Sequence, residues 1–451
     1  MIGKLKFLIA IITCIMVVMD FVCPFVYAQS EVEGLIDLLI SKGVLSRGEA
    51  VQIMEEANNT AKMQMINAVE EGPKWLANTT FKGDLRIRHQ YENREDDSSE
   101  PEHRFRTRLR YGLTNTINDK LTVGFRLATG SNRNDGRDPR STNQTWGDVF
   151  SNWEFNVDEA YFDWHPYDYF KLIGGKREVK KLMLRNSDLI WDSDLTFDGA
   201  TAYLTTGPMR SGLELFTWIG AYVLQMQTHD RWETNIGVTE DNQGNDPWML
   251  HVQPGLIYTN KGDGHQWQGK MGLSYLGIRN IDDQQNAVTL NSSGITTGNS
   301  FNSTDTLRYS YDVFYPTFSL EYAWGGPKGK TYAVKTFYDY IYNPDAEDTG
   351  FLLGAKIGYK KVGQKFGDWQ LGYNYRYLED DAFLSGFSDS DAYSGNTNVK
   401  GNEFSLQVGL AKNVILGFDY YFMEPISGAA NAGNRQRRTE NLFQTDLVFK
   451  F

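Results

Sequence analysis

Thr80-Phe81-Lys82-Gly83-Asp84-Leu85-Arg86-Ile87-Arg88 alternates polar and apolar residues, and its polar half ends in arginine. The run Arg104-Phe105-Arg106-Thr107-Arg108-Leu109-Arg110-Tyr111 repeats that alternation in the same phase, as does Leu121-Thr122-Val123-Gly124-Phe125-Arg126-Leu127. Side chains alternate faces along a strand, so each run has one apolar and one cationic face. Like charges repeated on one face cost energy unless water or counter-charges screen them. A water-filled barrel lumen supplies both, whereas a soluble domain would offer a solvated sheet face of mixed charge. The barrel reading makes Arg86, Arg88, Arg104, Arg106, Arg108, Arg110 and Arg126 the expected pore-lining residues.

Composition supports the barrel. Aromatic residues make up 14% of the 451, with 25 Tyr, 26 Phe and 11 Trp beside 43 Gly. Strands with one greasy face and aromatic girdles need that mixture. After the first thirty residues no apolar run is long enough to cross a bilayer as a helix, which excludes a helical membrane protein. The net charge is -12. An acidic chain with an arginine-loaded wall has its charges sorted in space.

Residues 1–28 read as a secretory signal peptide: Lys4 and Lys6, an apolar run from Phe7 to Met19, then Val26-Tyr27-Ala28 as a cleavage site. Both cysteines, Cys14 and Cys23, fall inside it. The mature chain is then cysteine-free and needs neither disulfides nor thiol-bound metal. Residues 29–78 are expected to form a short helical segment in the periplasm. Val51, Met54, Asn58, Ala61, Met65 and Ala68 recur at three- and four-residue steps, which fits a coiled-coil seam or one amphipathic helix.

From residue 79 to 451 sixteen segments read as strands: 79–93, 103–117, 120–130, 154–165, 169–178, 197–206, 211–225, 248–260, 266–279, 311–324, 330–342, 350–361, 368–379, 402–412, 414–424 and 438–451. Short connections such as Asn118-Asp119 and Lys412-Asn413 alternate with long polar ones, notably 131–153, 226–247, 280–310, 380–401 and 425–437. Short turns at one rim and long loops at the other mark an outer-membrane barrel. The expected fold class is therefore all-β, a transmembrane antiparallel barrel of about sixteen strands. Phase is legible on many strands: Leu353, Ala355 and Ile357 outward with Lys356 and Lys360 inward, and Trp369, Leu371 and Tyr373 outward with Asn374 and Arg376 inward. Segments 154–165 and 197–206 do not phase cleanly.

The chain ends Leu447-Val448-Phe449-Lys450-Phe451. A terminal aromatic on a closing strand is similar to the signal that barrel-assembly machinery reads in its clients, which makes Phe451 the expected assembly signal. Two stretches resemble a family, the bacterial putative porins. One is Gly83 to Arg88 with the arginine strand after it. The other runs through Ser141-Thr142-Asn143-Gln144-Thr145-Trp146-Gly147-Asp148, Asp158-Glu159-Ala160-Tyr161-Phe162-Asp163-Trp164, Gly174-Gly175-Lys176 and Ser187-Asp188-Leu189-Ile190-Trp191-Asp192-Ser193-Asp194. Where many members carry Asn-Pro after the Gly-Lys strand, this chain has Arg177-Glu178-Val179. The resemblance implies passive diffusion of small hydrophilic solutes across the outer membrane. It also implies contact with lipid and lipopolysaccharide, and a homotrimer.

Residues 179–196 follow the fifth strand, where sixteen-stranded porins fold a segment into the lumen. Lys180, Lys181, Arg185, Asp188, Asp192 and Asp194 are the expected constriction-loop residues. Its acidic end, set against the arginine wall, would either filter solutes in a transverse field or serve only to fix the loop. Asp192, Asp194 and Asp198-Gly199 depart from calcium-loop spacing, and the six histidines are scattered, so no metal or other cofactor is expected. No catalytic motif appears, and no enzyme or nucleic-acid role is expected. About fifty residues before the barrel cannot make the plug of a TonB-type transporter. The alternative reading within transport is a channel or exporter specific for anionic solutes or acidic polysaccharide, which an arginine-rich bore would suit.

Overall fold

The computed structural model describes residues 74–451 apart from 95–99, 131–138, 148–149, 151, 225–246, 282–297, 303–306, 326–330 and 428–438, and before residue 74 only Lys42 and Ser46. The chain divides into two units, Met1–Asn78 and Thr79–Phe451. In the first, a single helical turn, Lys74–Ala77, is described. The expected signal peptide and coiled-coil seam lie outside the described residues.

The second unit is one antiparallel sheet. Its strands are β1 (Thr79–Arg94), β2 (Glu102–Asn118), β3 (Leu121–Thr129), the two-residue β4 (Gln144–Thr145), β5 (Phe155–Tyr167) and β6 (Phe170–Glu178). Then come β7 (Thr196–Thr205), β8 (Leu213–Val223), β9 (Trp248–Gly262), β10 (His265–Arg279), β11 (Tyr311–Gly325) and β12 (Thr331–Asn343). The chain finishes with β13 (Asp348–Tyr359), β14 (Trp369–Leu378), β15 (Val399–Ala411), β16 (Val414–Pro425) and β17 (Glu440–Lys450). Each long strand pairs with its neighbours in sequence, and β1 pairs with β17 from Asp84↔Lys450 to Arg94↔Glu440. That last pairing closes a barrel of sixteen strands, as the alternation predicts. β4 is an addition: β3 is short, and Gln144 and Thr145 pair with Thr107 and Arg106 of β2 beyond its end.

The β1–β17 seam is extended by Phe451. Phe451 N–H donates to Gly83 O at 3.0 Å, and Gly83 N–H donates to Phe451 O at 2.8 Å. The Phe451 ring lies where a side chain on Gly83 would stand, 2.4 Å from an added Cβ, so this crossing requires glycine.

Exposed apolar side chains fall on one phase of the strands, as in Ile87, Tyr111, Phe125, Leu353, Ile357 and Phe404. On the opposite phase sit the charged and buried groups. Two segments break the alternation, and both for physical reasons. In β5 the pairing with β3 slips between Arg126 and Leu127, so Asp158 and Glu159 are both buried while Val157 and Ala160 are exposed. This is a β-bulge, which turns two successive carboxylates inward. β7 reverses polarity: Phe197 and Thr201 are buried, while Asp198 is exposed and bonded to Lys176.

The long-loop half of the lumen is filled by an apolar cluster. Leu189, Ile190, Trp191, Tyr311, Tyr315 and Phe383 have no solvent exposure. It is built from inward residues near the long-loop ends of the strands and from two connecting segments, residues 179–195 and 379–398.

Candidate functional site: the inner wall and its two inward loops

The first inward segment, residues 179–195, leaves β6 through a short 3-10 turn, Val179–Lys181. Gln253 of β9 clamps it, accepting from Leu184 N–H at 2.7 Å and donating to Leu184 O at 2.8 Å. At its tip Asn186 donates to Thr317 of β11 at 2.6 Å, and Ser187 donates to Asp339 of β12. On the return, Asp194 lies 3.5 Å from both Arg108 and Arg110 of β2. A segment bonded to β2, β9 and β12 of a closed barrel must cross its interior.

The second inward segment, residues 379–398, packs on the first. Trp191 meets Phe197 and Phe383 edge-on with ring centroids 4.8 and 4.9 Å away, and Phe387 at 5.6 Å. Asp192 N–H donates to Phe387 O at 2.8 Å, and Ser390 N–H donates to the Asp192 carboxylate at 2.8 Å. Arg140 donates to the carbonyls of Ser385 and Gly395, and Arg376 of β14 pairs with Asp389 at 2.9 Å. Asp391 reaches Arg88 of β1 at 2.8 Å.

The arginines of the three opening strands are thus met by acids. Arg88 grips Asp446 with two bonds of 2.7 and 2.8 Å, and Arg86 lies 3.6 Å from the same carboxylate. Asp84 accepts from Arg108 at 2.9 Å and from Arg110 at 2.8 Å. Arg104 pairs with Glu92 at 2.5 Å. Arg126 sits among Asp158, Glu159 and Glu178, the first two supplied by the bulge. Arg106 donates to Ser141 at 3.2 Å, and Arg86 to Asn143 at 2.6 Å, both from the segment around β4. Paired guanidinium and carboxylate groups hold their geometry well, and their charges cancel locally.

Of the six residues singled out in 179–196, the structure brings only Asp194 to the arginine wall. Asp188 pairs with Arg185 inside the loop at 2.9 Å. Asp192 binds the second loop, Lys180 pairs with Glu178 at 3.0 Å, and Lys181 is exposed. Burial alone would raise the Asp194 carboxyl, but Arg108, Arg110 and Arg86 hold it well below the usual carboxylate range. Burial would likewise raise Asp391, which Arg88 holds at about 2.

Sequence reasoning placed residues 380–401 among the outer loops and missed their return into the barrel. The apolar run Ala382-Phe383-Leu384, out of place in a solvated loop, was the available signal. It missed the counter-ions too, although Asp84 and Asp446 stand in the inward phase of their strands.

The sequence model of the putative porins matches residues 91–313 and 328–451. The chain belongs to the putative porin family. It is an outer-membrane β-barrel of porin type, a channel and not an enzyme. Among solved structures this porin is similar to Pseudomonas putida OprB at high pH, with 12% identity and a TM-score of 0.49 over 83% of this chain and 94% of that one. Salmonella typhi OmpF in complex with daunomycin follows at 11% identity and 0.45, over 83% and 97%. The anion-selective porin from Comamonas acidovorans shares 13% identity with a TM-score of 0.43, over 83% and 99%. No curated protein matches the sequence.

Proposed function

We propose that this porin passes small hydrophilic solutes or ions passively through a bore narrowed by its two inward loops and lined by the arginines of β1, β2 and β3. The observation that carries the reading is the pair of loop-to-wall contacts, Asp194 to Arg108 and Arg110, and Asp391 to Arg88. They fix both loops across the lumen from the side where the cationic face is densest. The arginines act here as anchors for the constriction as much as a field for solutes, because carboxylates neutralise most of them. Removing residues 1–28 as a signal peptide delivers the chain to the periplasm, and Phe451 presents the closing strand to the assembly machinery. Residues 29–78 remain on the periplasmic side. A homotrimer is the assembly that the family resemblance supports.

Planar-bilayer recording tests the channel. Purified protein should give stable, resolvable conductance steps. Replacing Asp194 and Asp391 together by Asn frees the loops and uncovers three arginines, so steps should become larger and the zero-current potential should move towards anion preference. A wild-type protein that inserts as a folded barrel and carries no current would end the channel reading.

A further inference from the structure

On the wall opposite the arginines the charges do not cancel. Lys270 of β10, Lys335 of β12 and Lys356 of β13 lie in the inward phase of their strands, and Lys335 stands directly across from Lys356 in the β12–β13 register. Like charges placed opposite one another across a strand pair are unfavourable. The carboxylate in register with Lys335 is Glu321 of β11, and Lys360 takes it at 2.6 Å. Asp339, four residues further along β12, accepts hydrogen bonds from Thr317, Ser187 and Asn186. Among the described residues no carboxylate lies within ion-pair distance of Lys270, Lys335 or Lys356.

The lysines are also positioned. The ammonium groups of Lys335 and Lys356 lie 5.6 and 5.9 Å from the centroid of one ring, Phe337. That ring is nearly buried and occupies the space left by Gly354, where an added Cβ would come within 2.3 Å of it. Lys335 further donates to Asn186 Oδ1 at 3.4 Å, at the tip of the first inward loop. A shared aromatic face holds two cations near each other at a modest gain each, and leaves their remaining N–H donors facing the lumen. Phe337 belongs to the apolar cluster, so the lysines lie immediately on its short-turn side.

We infer that Lys270, Lys335 and Lys356 form an anion site inside the barrel, suited to a small oxyanion with at least two negative charges. Such a ligand supplies the counter-charge that the wall lacks, and its several oxygens match three ammonium groups whose long stems let them converge. The inference deepens the channel reading, on which it rests for its role in transport: the solute group attracted to this bore is multivalent oxyanion rather than neutral sugar. It also places the source of anion preference on the lysine wall, where Lys360 already takes Glu321 and cations outnumber carboxylates, rather than on the arginine wall, where charge is matched.

Inorganic phosphate is the probe, in two measurements. Equilibrium binding to the full-length protein in detergent micelles should show saturable phosphate uptake, weakened at least tenfold when Lys270, Lys335 and Lys356 are all replaced by Gln. Equal binding by the triple variant, or no binding by the wild type, overturns the site whether or not the protein conducts. In bilayers, phosphate on one side should reduce the chloride current of the wild type and leave the triple variant untouched. Lys356→Glu, at an exposed position, should by itself shift the zero-current potential towards cations. Phosphate binding without any conductance would sink the channel reading and leave the site standing.

Discussion

Trp191 is fully buried, its ring set between Phe197 of the wall and Phe383 of the second loop. Truncating a buried tryptophan typically costs about 3–5 kcal/mol through lost burial and the cavity left behind. Trp191→Ala should therefore unseat the two loops from each other, lower the midpoint of denaturant unfolding and raise single-channel conductance. Trp191→Phe should lie near wild type in both. Unchanged conductance in the alanine variant would mean that the loop junction does not limit passage. At the same scale, Asp158 and Glu159 explain why one strand could not be phased from its letters. A bulge adds one residue, every later side chain changes face, and an alternation test run through it averages to nothing. The motif was visible in the sequence, but its geometry was not, because a bulge is defined by the partner strand and not by the strand that carries it.

The two inward segments are held by the apolar cluster between them and by ion pairs to the wall. Asp391 has a free carboxyl value of 3.8 and is held at about 2 when docked on Arg88. Because the docked value is the lower one, this anchor is at full strength above about pH 4 and disappears as pH falls through about 2. Asp194 shifts in the same direction. Acidification below about pH 4 should change the conductance and the protease resistance of the loops together. Asp391→Asn should show the acid behaviour already at neutral pH, which would be read as faster cleavage between residues 379 and 398. The first of these segments was legible as a lumen loop from its position after the fifth strand and from its mixed charge. The second was not. Its Asp, Ser and Gly content is that of a solvated loop, and five buried apolar residues, Ala382, Phe383, Leu384, Ala392 and Tyr393, overrule that average.

For the molecule as a whole, all sixteen strands stand within a few residues of their expected spans, because lipid outside and charge inside impose a period of two on every crossing except β5 and β7. The counter-ions were harder to read: Asp446 and Arg88 are far apart in sequence and meet only when the ring closes. Cysteine scanning checks the two faces together. Tyr111→Cys should react with lipid-phase reagents, and Lys356→Cys with water-soluble ones that enter the bore; the reverse pattern would invert the barrel. Unheated gel migration or native mass measurement should give three times the protomer mass, and a single protomer in mild detergent would remove the trimer.

The β1–β17 seam has a consequence for how such a protein comes to exist. Its partners, Asp84 with Lys450 and Arg94 with Glu440, are drawn from opposite ends of the barrel sequence. No local contact can stand in for them, so the ring stays open until nearly the whole chain has arrived. Until then two long strand edges present unpaired N–H and C=O groups, a template for pairing with any other chain. Contacts of such long sequence separation also form slowly. The nascent protein therefore spends its most vulnerable interval with both edges bare. The two bonds between Phe451 and Gly83, at the end of that seam, mark the end of that interval.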